Sequence, residues 1–432
     1  MQSPIDIVAK FPKSLDSPYR SFPIFYLLLK MATPTTINTL VSPVVLLLIL
    51  LSAPADYSNA SAETAEAVGG ETGPCFTSLF SFGDSVSDTG NHMLLGKCPH
   101  CCSLPNGETY FGCPTGRCCN GRLIVDFIAE KLGLPLLTPF PGELKSSNFR
   151  FGANLAEGGA TALDFRFLAE RGIFNTHTNV SLGDELKRFR NLLPTLCSSP
   201  SECKMYLGKS LIIMGEIGGI DYNRAYFENV AVEQITELVP YVVAEIGNAI
   251  QEMVELGAVT ILVPGNFPLG CHAGYLAKFW SPNKEDYDPL TGCLVQFNNF
   301  AQHHNDLLQE EVVRLQKVYP HANIMYADYY NSVMRLHLHP DEFGFSASLV
   351  ACCGGGGPYN YNESLLCGVP GTTACADPST FINWDDHHLT EAAYRIIAND
   401  VLQGPFSIPR FNTSHCPVTT RAASGEGYYF AY

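Results

Sequence analysis

Thr77-Ser78-Leu79-Phe80-Ser81-Phe82-Gly83-Asp84-Ser85-Val86-Ser87-Asp88-Thr89-Gly90-Asn91 is the stretch on which the fold turns. It opens as a short apolar run, Thr77 to Phe82, which predicts a buried strand. It then breaks into small polar residues at Gly83-Asp84-Ser85. A serine leaving the C-terminal end of a strand stands in the crevice where open α/β sheets bind ligands. Taken alone, Gly-Asp-Ser is a common loop opening, and Asp or Ser there is more often a helix cap than a reacting group. The remainder of the chain decides between the two readings.

Outward from this stretch the pattern alternates. Thr77–Phe82, Ser210–Met214, Ala258–Val263 and Asn323–Ala327 are short, apolar and followed by Gly, Asn or Asp, as strands are. Between them, Arg122–Leu132 sets Leu123, Phe127 and Ile128 on one face. Val232–Val254 repeats Val232, Ile235, Val239, Val242, Ile246, Ile250 and Met253 at helical spacing, and Leu294–Leu315 does the same from Phe297 to Val312. Apolar strands alternating with helices predict an α/β fold with a parallel sheet covered on both faces. No repeat and no Pro-, Gly- or Ser-rich linker divides the body. One domain is therefore expected over 75–405, after a disordered linker at 56–74 and before a tail at 406–432. The cysteine-bearing loops Gly96–Gly121, Asp286–Gly292 and Ala351–Thr380 are expected at the rim of its pocket. Cys352-Cys353-Gly354-Gly355-Gly356-Gly357-Pro358 is no phosphate loop, because the Lys-Ser/Thr pair that would follow is missing.

The chain has 432 residues, 46% of them apolar and 16% charged, enough for a sizeable core. Its formal charge of −16 repels phosphate backbones, so nucleic acid is not an expected partner. Ser42 to Ala53 holds an apolar run too short to span a bilayer comfortably. Ala53-Pro54-Ala55 follows with the small-x-small form of a signal-peptidase site. Residues 1–55 are thus expected to be an N-terminal extension and signal peptide. The run lies far from Met1, and Met31 would place it correctly as a natural start. No stable membrane anchor is expected after its removal, and the protein is expected to be secreted, extracellular or vacuolar. All 16 cysteines lie beyond Ala55, which in a secreted chain predicts several disulfides of undetermined pairing. The sequons at Asn59, Asn179, Asn362 and Asn412 predict glycosylation. Cys98-Pro99-His100-Cys101-Cys102 with Cys113 and Cys118-Cys119 imitates a zinc site. An oxidising compartment favours disulfides there, so no metal is expected.

A second constellation stands near the C-terminus: Ile382-Asn383-Trp384-Asp385-Asp386-His387-His388-Leu389-Thr390. Thr390 has the form of a helix N-cap with Glu391 in the first turn. Asp385 and His388 are three apart, which lets the carboxylate fold back onto Nδ1 and leaves Nε2 free to take a proton from a serine. The register is open, because Asp386 competes with Asp385 and His387 with His388. An Asp/His loop before a helix is also commonly a capping network.

Gly83-Asp84-Ser85 and Asp385-x-x-His388 resemble the first and last blocks of the GDSL, or SGNH, esterases and lipases. Gly107-Glu108-Thr109, Pro114-Thr115-Gly116-Arg117, Asp126-Phe127-Ile128-Ala129, Val263-Pro264-Gly265-Asn266, Tyr326-Ala327-Asp328-Tyr329-Tyr330 and Gly357-Pro358-Tyr359-Asn360 resemble the plant branch of that family, near the subgroup of sinapine esterase and acetylajmalan esterase. The resemblance spans Cys75 to Leu402. It implies a flavodoxin-like three-layer α/β/α sandwich and a two-step acyl transfer with no cofactor. Ser85 would be the nucleophile, His388 the general base and Asp385 the group orienting it. The backbone N–H groups of Ser85 and Gly159, the latter beside Gly158, would form the oxyanion hole. The substrate would be a small-molecule ester, with the subgroup favouring an acetyl or hydroxycinnamoyl ester of a specialised metabolite.

Three positions depart from the family pattern. Ile220 in Gly218-Gly219-Ile220-Asp221 stands where the family has an Asn that donates to the oxyanion. Asp386 and His387 replace a glycine and an apolar residue, and Val86 replaces a leucine. The same triad would also serve an acyltransferase, and loss of the Asn donor would suit a catalytically weakened binding protein.

Overall fold

The strand expected at Thr77–Phe82 forms as β1 (Ser78–Ser81). It is followed along the chain by β2 (Gly152–Asn154), β3 (Ser210–Ile213), β4 (Thr260–Pro264) and β5 (Asn323–Ala327). The computed structural model describes residues 75–98, 100–142, 149–174 and 177–411. The expected signal run, the possible start at Met31, the 56–74 linker, Asn59 and Asn412 lie outside them. All described residues belong to one compact unit, Glu71–Tyr432.

The five strands are parallel, in the order β2-β1-β3-β4-β5. Registered rows cross the sheet. Phe80, Ile212, Ile261 and Ile324 form one row, and Ile213, Leu262 and Met325 form the next. Side chains alternate along a strand, so adjacent rows feed opposite faces. The first row belongs to a core shared with helices α2 (Leu182–Leu196), α4 (Val232–Leu256), the short α5 (Ala273–Lys278) and α6 (Val295–Val318). The second belongs to a core shared with α1 (Ile124–Lys131), α7 (Tyr329–Leu338) and α8 (Glu391–Gln403). This is the three-layer α/β/α sandwich. β1 lies between β2 and β3, where the chain turns from building one side of the sheet to building the other. A crevice opens beyond the C-terminal ends of such strands, and Ser85 stands there.

Several elements escaped the sequence reading, among them α2, α7, β2 and the last strand, Ser407–Ile408. β2 is only Gly-Ala-Asn, with no apolar run to announce it. It is made by close approach: a Cβ on Gly152 would come within 1.7 Å of the Leu79 carbonyl oxygen. After the two-stranded ribbon β6 (Cys353–Gly354) and β7 (Thr373–Ala374), β8 (Ser407–Ile408) pairs antiparallel with β5. The sheet thus continues past residue 405, where a tail was expected, and Phe411 is buried against Phe76. The helical stripes lie as read except at Val232, which is exposed.

Six disulfides join described residues: Cys98–Cys102, Cys101–Cys118, Cys197–Cys203, Cys271–Cys293, Cys352–Cys375 and Cys353–Cys367. Cys75 is disulfide-bonded as well. Four of the cysteines that imitate a zinc site are thus paired, while Cys113 and Cys119 remain thiols. Of the described sequons, Asn179 is exposed and Asn362 half-buried. No helix among the described residues is long and apolar enough to cross a membrane.

Candidate active site

The turn after β1 is built by its own first residues. Gly83 has φ 126°, and a Cβ there would lie 2.9 Å from the Glu216 carbonyl oxygen. Only glycine lets the ends of β1 and β3 run this close. The Asp84 carboxylate accepts from the Val86 N–H at 2.9 Å. The Asp84 carbonyl accepts from the N–H groups of Ser87 and Asp88 at 3.1 and 2.9 Å. One helical turn results, with Ser85 at its start. Among the described residues the Ser85 backbone N–H has no hydrogen-bond acceptor.

Three buried carboxylates fasten the neighbouring loops. Asp88 accepts from the backbone N–H of Gly90, Asn91, His92 and Gly158 at 2.6 to 3.0 Å. Glu185, from α2, bridges the N–H of Gly83 at 2.9 Å and of Glu157 at 3.1 Å. Asp221 accepts from Ala162 and Leu163 at 2.8 and 3.0 Å. Burial pushes the Glu185 carboxyl well up, and raises Asp221 to about 7, against the backbone donors that pull both down. The Gly158 N–H is committed to Asp88, which takes it out of the oxyanion role. Gly159 has φ 82° and lines the same cavity as Ser85.

The second constellation is anchored at both ends. Trp384 is fully buried and donates through Nε1 to Asn106 at 2.9 Å. Thr390 caps α8 by accepting from the Ala393 N–H at 3.3 Å, as its sequence form predicts. Between these anchors the register becomes definite. Ser85 Oγ lies 2.8 Å from His388 Nε2, and His388 Nδ1 lies 2.8 and 2.9 Å from the two oxygens of Asp385. Asp385 also accepts from the backbone N–H of His387 and His388 at 3.0 and 2.8 Å, which fixes its orientation. His387 does not face the serine. Its Nδ1 is 2.7 Å from Asp386, and its ring packs on Phe227 at 5.2 Å.

Such a line moves a proton from Ser85 to His388 while Asp385 holds the ring. Burial disfavours the charged imidazole, but the hydrogen-bonded Asp385, then the nearby charges of Asp386 and Asp84, outweigh it. The His388 pKa stands at about 9. Below the nucleophile, burial and then the adjacent Asp84 push the Glu216 carboxyl well up. Burial raises Asp84 too.

One wall of the cavity is the helix α3 (Gly219–Phe227). Ile220, Asn223, Arg224 and Phe227 line a space of about 350 Å³ together with Ser85 and His388. Their spacing of three, four and seven is one helical face. The Asn223 carbonyl oxygen accepts from the Tyr275 hydroxyl at 2.6 Å, which leaves its amide NH₂ for other partners. The loop segments Gly96–Gly121 and Ala351–Thr380 supply rim residues such as Cys101, Cys118, Tyr361 and Leu366. Asp286–Gly292, also expected at the rim, contributes none. It is held in a local turn, with the Asp288 N–H donating to the Cys293 carbonyl.

Residues 79–401 match the family model for the GDSL-like lipase/acylhydrolases. The chain belongs to that family. A GDSL esterase/lipase of Arabidopsis thaliana is 53% identical over 339 residues, covering 78% of this chain and 88% of the relative. Sinapine esterase of Brassica napus is 50% identical over 344 residues, with the same two coverages. A solved acetyl-xylooligosaccharide esterase from Geobacillus overlays at TM-score 0.34 and 12% identity, covering 76% of this chain and 93% of that one, too loosely to bear on the site. As a GDSL acylhydrolase the protein is a carboxylic ester hydrolase. Asp88 and Asp221 sit inside motifs quoted above, yet their positioning roles escaped the sequence reading. Glu185 and Glu216 gave no motif signal at all.

Proposed function

We propose that the protein is a secreted serine esterase acting on a small-molecule carboxylic ester through an acyl-enzyme on Ser85. The observation that carries this reading is the Ser85–His388–Asp385 line at the cavity. Ser85 Oγ attacks the ester carbonyl carbon while its proton passes to His388 Nε2. The C–O bond to the alcohol then breaks, and His388 returns the proton to the leaving oxygen. Water repeats the cycle, releasing the acid and restoring the serine. The backbone N–H groups of Ser85 and Gly159 are the proposed oxyanion donors. Ile220 offers no hydrogen, and we assign its missing part to the Asn223 amide, oriented by Tyr275 and one helical turn away.

The likeness to sinapine esterase supports an acetyl or hydroxycinnamoyl ester of a specialised metabolite as substrate. The disulfides support passage through an oxidising, secretory compartment. The exposed Asn179 is a glycosylation site under the same reading. A fluorophosphonate probe tests the chemistry: it should label wild-type protein at Ser85 and fail on Ser85→Ala. Labelling that persists in Ser85→Ala would overturn the assignment.

A further inference from the structure

Every carboxylate lining the cavity has a partner. Asp385 holds His388 and Asp386 holds His387. Glu363 pairs with Lys278 at 3.1 Å, and Glu228 accepts from the Phe174 N–H at 3.3 Å. The cavity's guanidinium has none. Arg224 lines the same space as Ser85, from the same face of α3 as Ile220 and Asn223, and is partly buried. Among the described residues its guanidinium makes no hydrogen bond and no ion pair. Burial, the largest effect, lowers its pKa, and Asp386 and Glu228 raise it from nearby without bonding it.

A guanidinium stays charged in a protein and presents a planar fork of donors that matches a carboxylate. Removing it partly from water without an acceptor is unfavourable, and an anion entering the cavity would relieve that. A quaternary ammonium entering the same space would meet like charge. Resting on the esterase reading above, we infer that Arg224 selects esters bearing a free carboxylate in addition to the ester cleaved at Ser85. The carboxylate docks on the guanidinium while the ester carbonyl reaches the serine on the same cavity floor. Phe227, one turn further along α3, supplies apolar wall between polar ends.

Two matched pairs test this and tell the acid half from the alcohol half. 4-Acetoxybenzoate against 4-acetoxybenzamide carries the charge on the alcohol side. Mono(4-nitrophenyl) succinate against 4-nitrophenyl succinamate carries it on the acyl side. The wild type should prefer the carboxylate member of one pair in kcat/KM. Arg224→Gln should cut that preference by about tenfold or more, acting chiefly through KM, and Arg224→Lys should keep part of it. Calorimetric binding of the same four compounds to Ser85→Ala protein gives the comparison without turnover. Carboxylate-selective binding with no hydrolysis by the wild type would sink the esterase reading and keep the anion site. Hydrolysis with no carboxylate preference in either pair, or a preference that survives Arg224→Gln, would overturn the proposal.

Discussion

The floor and the wall of the cavity are built differently. The floor is the Gly83–Ser85 turn, the Glu157–Gly159 loop and the Asp385–His388 loop. Glu185 and Asp88 clamp the first two to each other through backbone N–H groups, and Asp385 ties its own loop together. The wall is the face of one nine-residue helix, tied at its start to Ala162 and Leu163 through Asp221 and packed along the rest, and that face carries the departure at Ile220 and the unpartnered guanidinium of Arg224. The floor therefore carries the chemistry, which tolerates little displacement. The wall carries choice of substrate, because side chains there change without moving the serine.

The largest expected effect strikes the floor. Ser85→Ala should lower kcat by on the order of 10⁴- to 10⁶-fold and leave the melting temperature nearly unchanged. His388→Ala should do almost as much. His387→Ala should cost far less, since its ring packs on Phe227 and pairs with Asp386 away from the serine. Steady-state kinetics of the three variants check this. A dead His387→Ala beside an active His388→Ala would break the division between floor and wall at its centre.

Legibility follows the same division, with exceptions that have physical causes. β1, β3, β4 and β5 are buried on both faces, and an unbroken apolar run in the sequence is the direct trace of that. Asp385-x-x-His388 was legible as a pair because three residues suffice for the carboxylate to fold back. The register against Asp386 and His387 was not, because only the anchors at Trp384 and Thr390 decide which ring faces Ser85. β2 left no trace because backbone approach at Gly152, not side-chain burial, makes it a strand. Glu185 lies in a stretch that offered no motif, yet it is buried and clamps two loops. Asn223 stands three positions after Ile220, a displacement along the chain that a helix turns into adjacency.

Next in size is the wall's proposed share of the oxyanion hole. Asn223→Ala should lower kcat about 10²- to 10³-fold with little change in KM, since the lost donor serves the transition state. Tyr275→Phe should cost less, because the amide remains and only its orientation is loosened. If Asn223→Ala keeps wild-type kcat, the hole works with backbone donors alone and the wall has no part in the chemistry.

The pH profile reports on the floor. His388 must be neutral to accept the serine proton, and its pKa stands at about 9. kcat/KM should rise about tenfold per pH unit toward that value, so at pH 7 it should lie about 100-fold below its plateau. Stability runs the other way. A histidine pKa raised on folding contributes stability that is full below about pH 6.5, the unfolded value, and is lost as pH rises through about 9. Asp385→Asn should move the kinetic midpoint downward while lowering the plateau. A wild-type midpoint near or below 6.5 would mean that Asp385 does not hold the charged ring.

The smallest expected effect is the sharpest test of the wall. Ile220→Asn restores the residue that the family pattern has at this position. If no other group served, the gain in kcat should be about tenfold to a thousandfold. Ile220 and Asn223 lie one turn apart on the same face of α3, and both line the cavity beside Ser85. A second amide there adds a donor to an oxyanion already served and removes apolar wall, so the gain should stay below about tenfold. The double variant separates the accounts. Ile220→Asn placed on Asn223→Ala should recover most of the lost kcat, because the two amides then substitute for each other. A gain of about 100-fold from Ile220→Asn alone would show the donor to be missing in the natural protein, and Asn223 would return to a purely structural place beside Tyr275.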